Sequence, residues 1–460
     1  FPWKNIPAPP AVPVTPQPQP PVVAEFWDQC QHQSWYFLPW HRGYLLALEA
    51  QIRAAVIASG GPSTWALPYW NYLGPGNEAQ IPPAFTATDL PNNGGPNPLF
   101  VQARYGPNRD GNVFVPIPPV SSASLTDDIF VGGENSIPPG FGGPVTGFSH
   151  NGDTNGGLEN NPHNLVHVFV GEVSPDSTIP GLMSDPGLAA LDPIFYLHHA
   201  NIDRMWAVWN KNPDFTNPAD PNWLNGPAAA GGRKFVMPMP DGTAWTYIPQ
   251  QMTSLSQLDY TYDELPDPPA AGDVLAGRLN RLGVAAAAAN VRRETKTELQ
   301  NVELVGASPT GIAIKPSGTA TSVQLDPSAR QRVSASLAAA AETEAPDRVF
   351  LKLDNVRGNY DSAVLSVYIN LPDGANPKDH PELLAGSVGL FGLHSASRSE
   401  GRHGGRGLSF SLDISRIVDS LHLGNALNVE SLPVSIIPHR ALPDRARITI
   451  GRLSMYRLGR

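Results

Sequence analysis

Histidines in three short segments carry the chemistry of this sequence. His32 and His41 stand nine residues apart, with Cys30 just before the first and Phe37, Trp40 and Arg42 beside the second. One histidine ahead of a helix and one on it can converge on a single point. His163 and His167 follow Glu159 and Pro162, and their i, i+4 spacing puts both rings on one helical face, close enough to share a metal. His198 and His199 lie between Asp192 and Asp203. Adjacent side chains on a helix point about 100° apart, so one of these two faces the His163/His167 site and the other packs or hydrogen-bonds. Each segment alone also fits a buried structural histidine; three together are far more specific. A ligand set of imidazoles, without thiolate or carboxylate, suits copper, with zinc as the main competitor. Asp203 is four residues after His199, where a carboxylate can orient an imidazole or a neighbouring arginine.

The elements that must carry these residues are legible in outline. Residues 34–58 have a helical apolar period through Trp35, Leu38, Leu45, Leu48, Ile52 and Val56, and Pro62 lies beyond its end. Two further helices are predicted, from His163 to Val170 and from Asp192, a good N-cap before Pro193, to about Trp209. Pro75 to Gly157 reads as long ordered loops. The proline-laden start, Phe1 to Pro21, is predicted to be extended chain. A Pro/Asp-rich linker, 265–273, precedes a change of pattern. Beyond it, Val349–Leu353, Ala363–Ile369, Leu408–Leu412 and Ile448–Ile450 are short β-rich runs separated by turn residues. The fold class is therefore α+β and multidomain. Residues 1–264 form a mainly helical domain, a helix-bundle core with long loops, and 274–460 a β-sandwich or barrel-like domain. The alanine-rich stretch Ser334 to Ala341 is left open between a short helix and a loop.

Composition narrows the partners. With 31 Lys+Arg against 41 Asp+Glu the net charge is −10, and without a long basic run nucleic acid is not expected as a partner. Hydrophobic residues at 41% supply a large core. No apolar stretch approaches the roughly 18 residues of a membrane helix, so no membrane partner is expected and the protein is expected to be soluble. No signal segment is visible, and compartment and oligomeric state stay open. The single cysteine excludes an intramolecular disulfide,. His380, His394, His403, His422 and His439 are expected to be solvated.

Together the three motifs resemble the tyrosinase, catechol oxidase and molluscan haemocyanin family of coupled binuclear copper proteins. The resemblance rests on His32, Phe37, Trp40, His41, Arg42, Leu45 and Glu49, and on Asp192, Pro193, Phe195, His199 and Asp203. It implies two copper ions per chain, one on His32 and His41, the other on His163, His167 and His199, with His198 and Asp203 supporting them. It further implies a thioether between Cys30 and His32, a proton-taking water held by Glu159 and Asn164, and a substrate entrance at Val168 and Phe195. Tyr260 and Tyr262 resemble the Tyr-x-Tyr motif that ends the catalytic domain of polyphenol oxidases, and the later strands resemble their C-terminal β-domain, a lid over the active site. The family needs another copper-A histidine some 16–25 residues before His32, and residues 1–31 contain none. Of three explanations, a missing segment, substitution by a residue such as His150, or a degenerate copper A, the first is expected. The implied activity is oxidation of small phenols by O₂: ortho-hydroxylation of monophenols and conversion of o-diphenols to o-quinones. The alternatives are a catechol oxidase without monophenolase activity, a haemocyanin-like O₂ carrier, or a degenerate copper-binding protein.

Overall fold

Two prolines begin a helix where extended chain was expected. Pro20 and Pro21 open α1 (Pro20–Phe26), at positions whose missing N–H is not needed and whose fixed φ suits a first turn. The computed structural model describes residues 18–148, 154–176, 178–268, 271–283, 301–339, 346–400, 404–427 and 430–459. The rest of the proline-rich start, His150 and His403 lie outside the described residues. Among those described, one compact unit runs to Ser122 and takes in 145–148 and Leu158–Asp267. The other comprises Ala123–Pro144, 154–157 and the chain from Pro268 onward. The division falls inside the expected 265–273 linker, but the second unit also claims two stretches from the upstream sequence. No helix among the described residues is long and apolar enough to cross a membrane.

In the first unit the helix expected over 34–58 forms as α2 (Phe37–Ala58), with Pro39 in its first turn and residues Phe37 to Gly43 all buried. Glycine at position 43 is required by packing. A Cβ there would lie 2.2 Å from Tyr247 Cζ, and Tyr247 donates its hydroxyl to Trp40 O at 2.7 Å. The described residues between 75 and 156 contain only short 3₁₀ helices, turns and isolated bridges, as the composition implied. The helix expected from His163 is less regular than the i, i+4 pattern suggested. A wide π-type turn over Glu159–Asn164, interrupted by Asn161 and Pro162, leads into α3 (Leu165–Gly171). Such wide turns recur at functional sites. In α4 (Ile194–Trp209) every residue except Tyr196 is buried. A helix buried all round that still carries His198, His199, Asn201, Asp203 and Arg204 must give each a partner or a task. The short α5 (Pro221–Leu224) and the hairpin of β1 (Phe235–Pro238) and β2 (Ala244–Tyr247) complete this unit.

The second unit is built on one nine-stranded sheet: β3 (Asn301–Ala307), β4 (Ile312–Ala313), β5 (Thr319–Leu325), β6 (Arg348–Arg357), β7 (Val364–Ile369), β8 (Leu384–Gly389), β9 (Leu408–Asp413), β10 (Ser431–Pro438) and β11 (Thr449–Gly459). The order is β8-β7-β10-β5-β3-β11-β6-β9, with β4 on β11, and all pairs are antiparallel. The two end strands approach each other, for the backbone of β8 at Gly386 lies against the Leu412 side chain of β9, where an added Cβ would stand 3.0 Å from Cδ2. The sheet therefore rolls on itself in the manner of a barrel, and a two-sheet sandwich is not formed. Leu353, Val367, Ile436 and Leu453 are fully buried in it. Among the described residues four α-helices accompany the sheet: α6 (Ala271–Arg281), α7 (Pro327–Ala339), α8 (Leu393–Ser397) and α9 (Ser415–Leu423). The alanine-rich stretch is helical as far as Ala339, because Ala329, Val333 and Leu337 form a buried stripe along α7. Arg278 of α6 is buried and forks onto Asp419 of α9 with two 2.8 Å bonds.

Candidate metal centre

Two groups of ligand atoms lie in the first unit: His163, His167, His198 and His199, all buried, and Cys30, His32 and His41. In the first group His199 Nε2 is 3.3 Å from His163 Nε2 and 3.4 Å from His167 Nε2. The opposite ring atoms are turned outward, His163 Nδ1 to Asn164 Oδ1 at 2.8 Å and His167 Nδ1 to Met183 O at 2.8 Å. A carbonyl oxygen only accepts, so the Nδ1 atoms carry the protons and the Nε2 atoms present lone pairs to one another. Lone pairs at that separation repel unless a cation lies between them. Ligands about 2.0–2.1 Å from one metal, at angles of 109–120°, are separated by about 3.3–3.6 Å. The residues therefore fit a metal ion. Burial, joined by the neighbouring imidazoles, pushes the His163 and His199 pKa well below the usual histidine range. His167 falls to about 3. All three are thus neutral ligands at pH 7.

The second group faces the first. The His41 and His199 rings stack at 4.5 Å with 16° between planes, and the His32 and His163 rings are 5.3 Å apart. His41 donates from Nδ1 to Phe37 O at 2.7 Å, one helical turn back, which leaves Nε2 as its ligand atom, 3.5 Å from Cys30 Sγ. His32 Nδ1 is 3.0 Å from Glu159 Oε1. Burial works against a charge on His32, but Cys30 and Glu159 overcome it and raise its pKa to about 10, so a metal bound by this ring must displace a proton. Glu159 also accepts the Gln33 N–H on both oxygens, at 2.9 Å each. One buried carboxylate thus joins the turn before His163 to the segment carrying His32. No third histidine joins His32 and His41 among the described residues.

Other expected site residues are placed as follows. Phe195 lies over His199 with ring centroids 4.1 Å apart. Val168 is buried. His198 was expected to turn away if His199 faced the site, yet it has a ring nitrogen within 4.8 Å of the other three ligand atoms. Its ring stacks on His163 at 5.3 Å and 23°. Asp203 serves an arginine, the second of its two expected options. Its Oδ1 accepts from Arg42 Nε at 2.6 Å, and its Oδ2 from the hydroxyls of Tyr260 and Tyr262, each at 2.6 Å. The Arg42 guanidinium also lies 3.9 Å over the Trp206 ring and donates to Met252 O, so this network ties α2 to α4. Replacing either tyrosine by Phe removes a hydrogen bond to a charged acceptor and is expected to lower stability by about 1.5 kcal/mol. An unchanged denaturant midpoint in both variants would show the network to be energetically idle.

Some residues that shape the site were not recognised as such in the sequence. Phe37 fills the space between the two groups, 4.6 Å from the His41 ring and 4.8 Å from that of His163. Met183 supplies a carbonyl to His167. Arg104, buried, donates two bonds to Asp192 Oδ1 and one to Oδ2, at 2.7–3.0 Å. Asp192 in turn caps Ile194 N at 3.0 Å, which fixes the start of the helix that carries His199.

Imidazoles gathered in two facing groups, on elements tied by buried ion pairs, form a centre that could hold metal ions. The sequence pattern described as the common central domain of tyrosinase matches residues 11–212. A domain of unknown function matches residues 301–458. A tyrosinase of Hahella sp. (strain CCB-MM4) is 31% identical over 451 residues, covering 96% of this chain and 86% of that protein. The latent chloroplastic polyphenol oxidase of Prunus armeniaca is 32% identical over 42% of this chain and 32% of its own length. Catechol oxidase B of Solanum tuberosum is 31% identical over 42% of this chain and 33% of its own. Against such plant relatives the chain spans about a third of their length. Among solved structures, latent apple tyrosinase matches with a TM-score of 0.56 at 19% identity, covering 93% of this chain and 84% of that one. The chain belongs to the tyrosinase family. It is an oxidoreductase of the tyrosinase and catechol oxidase type, from a copper-dependent family that oxidises phenols.

Proposed function

We propose that this chain oxidises small o-diphenols to o-quinones and hydroxylates monophenols at the ortho position. It would use O₂ and two copper ions, one held by His163, His167 and His199 and one by His32 and His41. The observation that carries the reading is the convergence of three neutral, buried imidazoles at 3.3–3.4 Å with His41 stacked on His199. Bound copper supplies the electrons that reduce O₂, which organic side chains cannot do at neutral pH. The chain's own residues do the rest. Phe195, lying on His199, and Val168, beside His167, shape the entrance for an aromatic ring. Glu159 and Asn164 orient ligands and hold the base for a monophenol's proton. Cys30 would stiffen His32 through a thioether, its sulfur replacing a ring hydrogen with loss of two protons and of two electrons taken up by O₂.

Copper quantitation combined with steady-state oxidation of catechol tests this. Near two copper ions per chain with sustained quinone formation is expected. O₂ binding without turnover would favour a carrier, and less than one copper after reconstitution a degenerate site.

Latency belongs to the same reading, with the β-rich unit restraining access to the centre until the linker is cut. Since α6 already begins at Ala271, the described part of the linker open to a protease is 265–268, where Pro266 and Asp267 are exposed. Cutting there and then separating the fragments is expected to raise turnover, most for bulky phenols. Equal activity before the cut and after the fragments have been separated would count against it.

A further inference from the structure

The second unit is not made from the C-terminal sequence alone. Ile137, fully buried, packs in one cluster with Phe350 of β6 and Leu458 of β11, flanked by Val302 and Tyr456. Asp127 reaches to 3.7 Å from Arg348, whose other carboxylate partner is Asp413 at 2.8 Å. Thr154, 1% exposed, pairs in a parallel bridge with Ser409 of β9. The two upstream stretches are also fastened to each other. Gly157 N donates to Gly140 O at 2.7 Å, and a Cβ on Gly156 would lie 2.5 Å from Gly143 N. Phe130 and Phe141 are buried in the same unit. The chain therefore crosses between the units at 122–123, 144–145, between 148 and 154, at 157–158 and at 267–268.

From this we infer that a cut in 265–268 leaves the molecule in one piece. Such a cut severs one crossing of several, and the upstream fragment keeps residues 123–144 and 154–157 seated on the sheet of the downstream fragment. The C-terminal β-rich fragment is in effect a binding partner for an internal segment of the catalytic chain, with Ile137 as the apolar anchor and Asp127, facing Arg348, as the polar one. Separation must uncover Phe350 and Leu458 to water, which opposes it. Proteolysis and release are then two distinct events, and the extent of release depends on concentration. The inference rests on none of the catalytic assignments, because its readout is association.

The test uses full-length, copper-loaded protein with a protease recognition sequence placed between Leu265 and Pro268. After complete cutting, size-exclusion chromatography at falling concentration is expected to give one peak containing both fragments into the submicromolar range, splitting only in denaturant. Two separate peaks at micromolar concentration would overturn the inference. Retention by some other surface is distinguished with Ile137→Ala, which should raise the fragment dissociation constant by roughly 30-fold or more. Asp127→Asn, a milder change on an independent contact, should raise it a few-fold. If both cut variants dissociate at the same concentration as the cut parent, the 123–144 segment is not the tether.

Discussion

Replacing His163, His167 or His199 by alanine removes one copper per chain and reduces quinone formation to background. The three Nε2 atoms are held at 3.3–3.4 Å by contacts on the far side of two of the rings, to Asn164 and to Met183 O. Two remaining imidazoles hold a metal weakly and leave an open position that water takes. Copper per chain is expected to fall from about two to about one, while unfolding of the metal-free variants stays cooperative. His198→Ala is the contrast. His198 stacks on His163 and supports the site, so that variant keeps most of its copper with reduced turnover. A His199→Ala variant with full copper and normal turnover would move the assignment to His198, which is near enough to compete.

What could be read from the sequence follows how local each signal is. The i, i+4 pair His163/His167, the capped start at Asp192 and the alternating strands all depend on neighbours within one turn or one strand, and each forms close to where it was expected. The wide turn over Glu159–Asn164 escaped because the predicted helix was begun at His163, whereas regular helix starts only at Leu165. Contacts made across the fold left no local trace. Asp203 stands 161 residues from Arg42 and 57 from Tyr260, and spacing alone could not choose between an imidazole and an arginine as its partner. Arg104 meets Asp192 across 88 residues. The same blindness hid the true composition of the β-rich unit. Residues 123–144 are loop-like in sequence, and nothing in them announces that Ile137 belongs with Phe350 and Leu458.

Glu159→Gln and Asn164→Ala are expected to lose hydroxylation of monophenols by a larger factor than oxidation of catechols. A monophenol has a pKa of about 10, so near neutrality it must give up a proton before it binds as phenolate, and a positioned acceptor contributes roughly 10²–10⁴ to such a step. A catechol needs the acceptor less, because its first hydroxyl is more acidic. The geometry adds a second, shared effect. Both Glu159 oxygens accept from Gln33 N and one lies 3.0 Å from His32 Nδ1, while Asn164 Oδ1 accepts from His163 Nδ1. A glutamine brings an N–H₂ to a place where two donors already point, and an alanine leaves the His163 ring unsupported. Loss of such an orienting partner typically costs 10–100-fold in metal affinity or activity, and it falls on both substrates alike. The decisive quantity is therefore the ratio of kcat/KM for a monophenol to that for the matching catechol, measured at saturating copper. A fall in that ratio of about tenfold or more in each variant, with Asn164→Asp restoring the shared part because its carboxylate still accepts from His163, supports the proton-taking role. A ratio unchanged from the parent, with both activities reduced together, would leave Glu159 and Asn164 as residues that only orient ligands, and the enzyme would be a catechol oxidase.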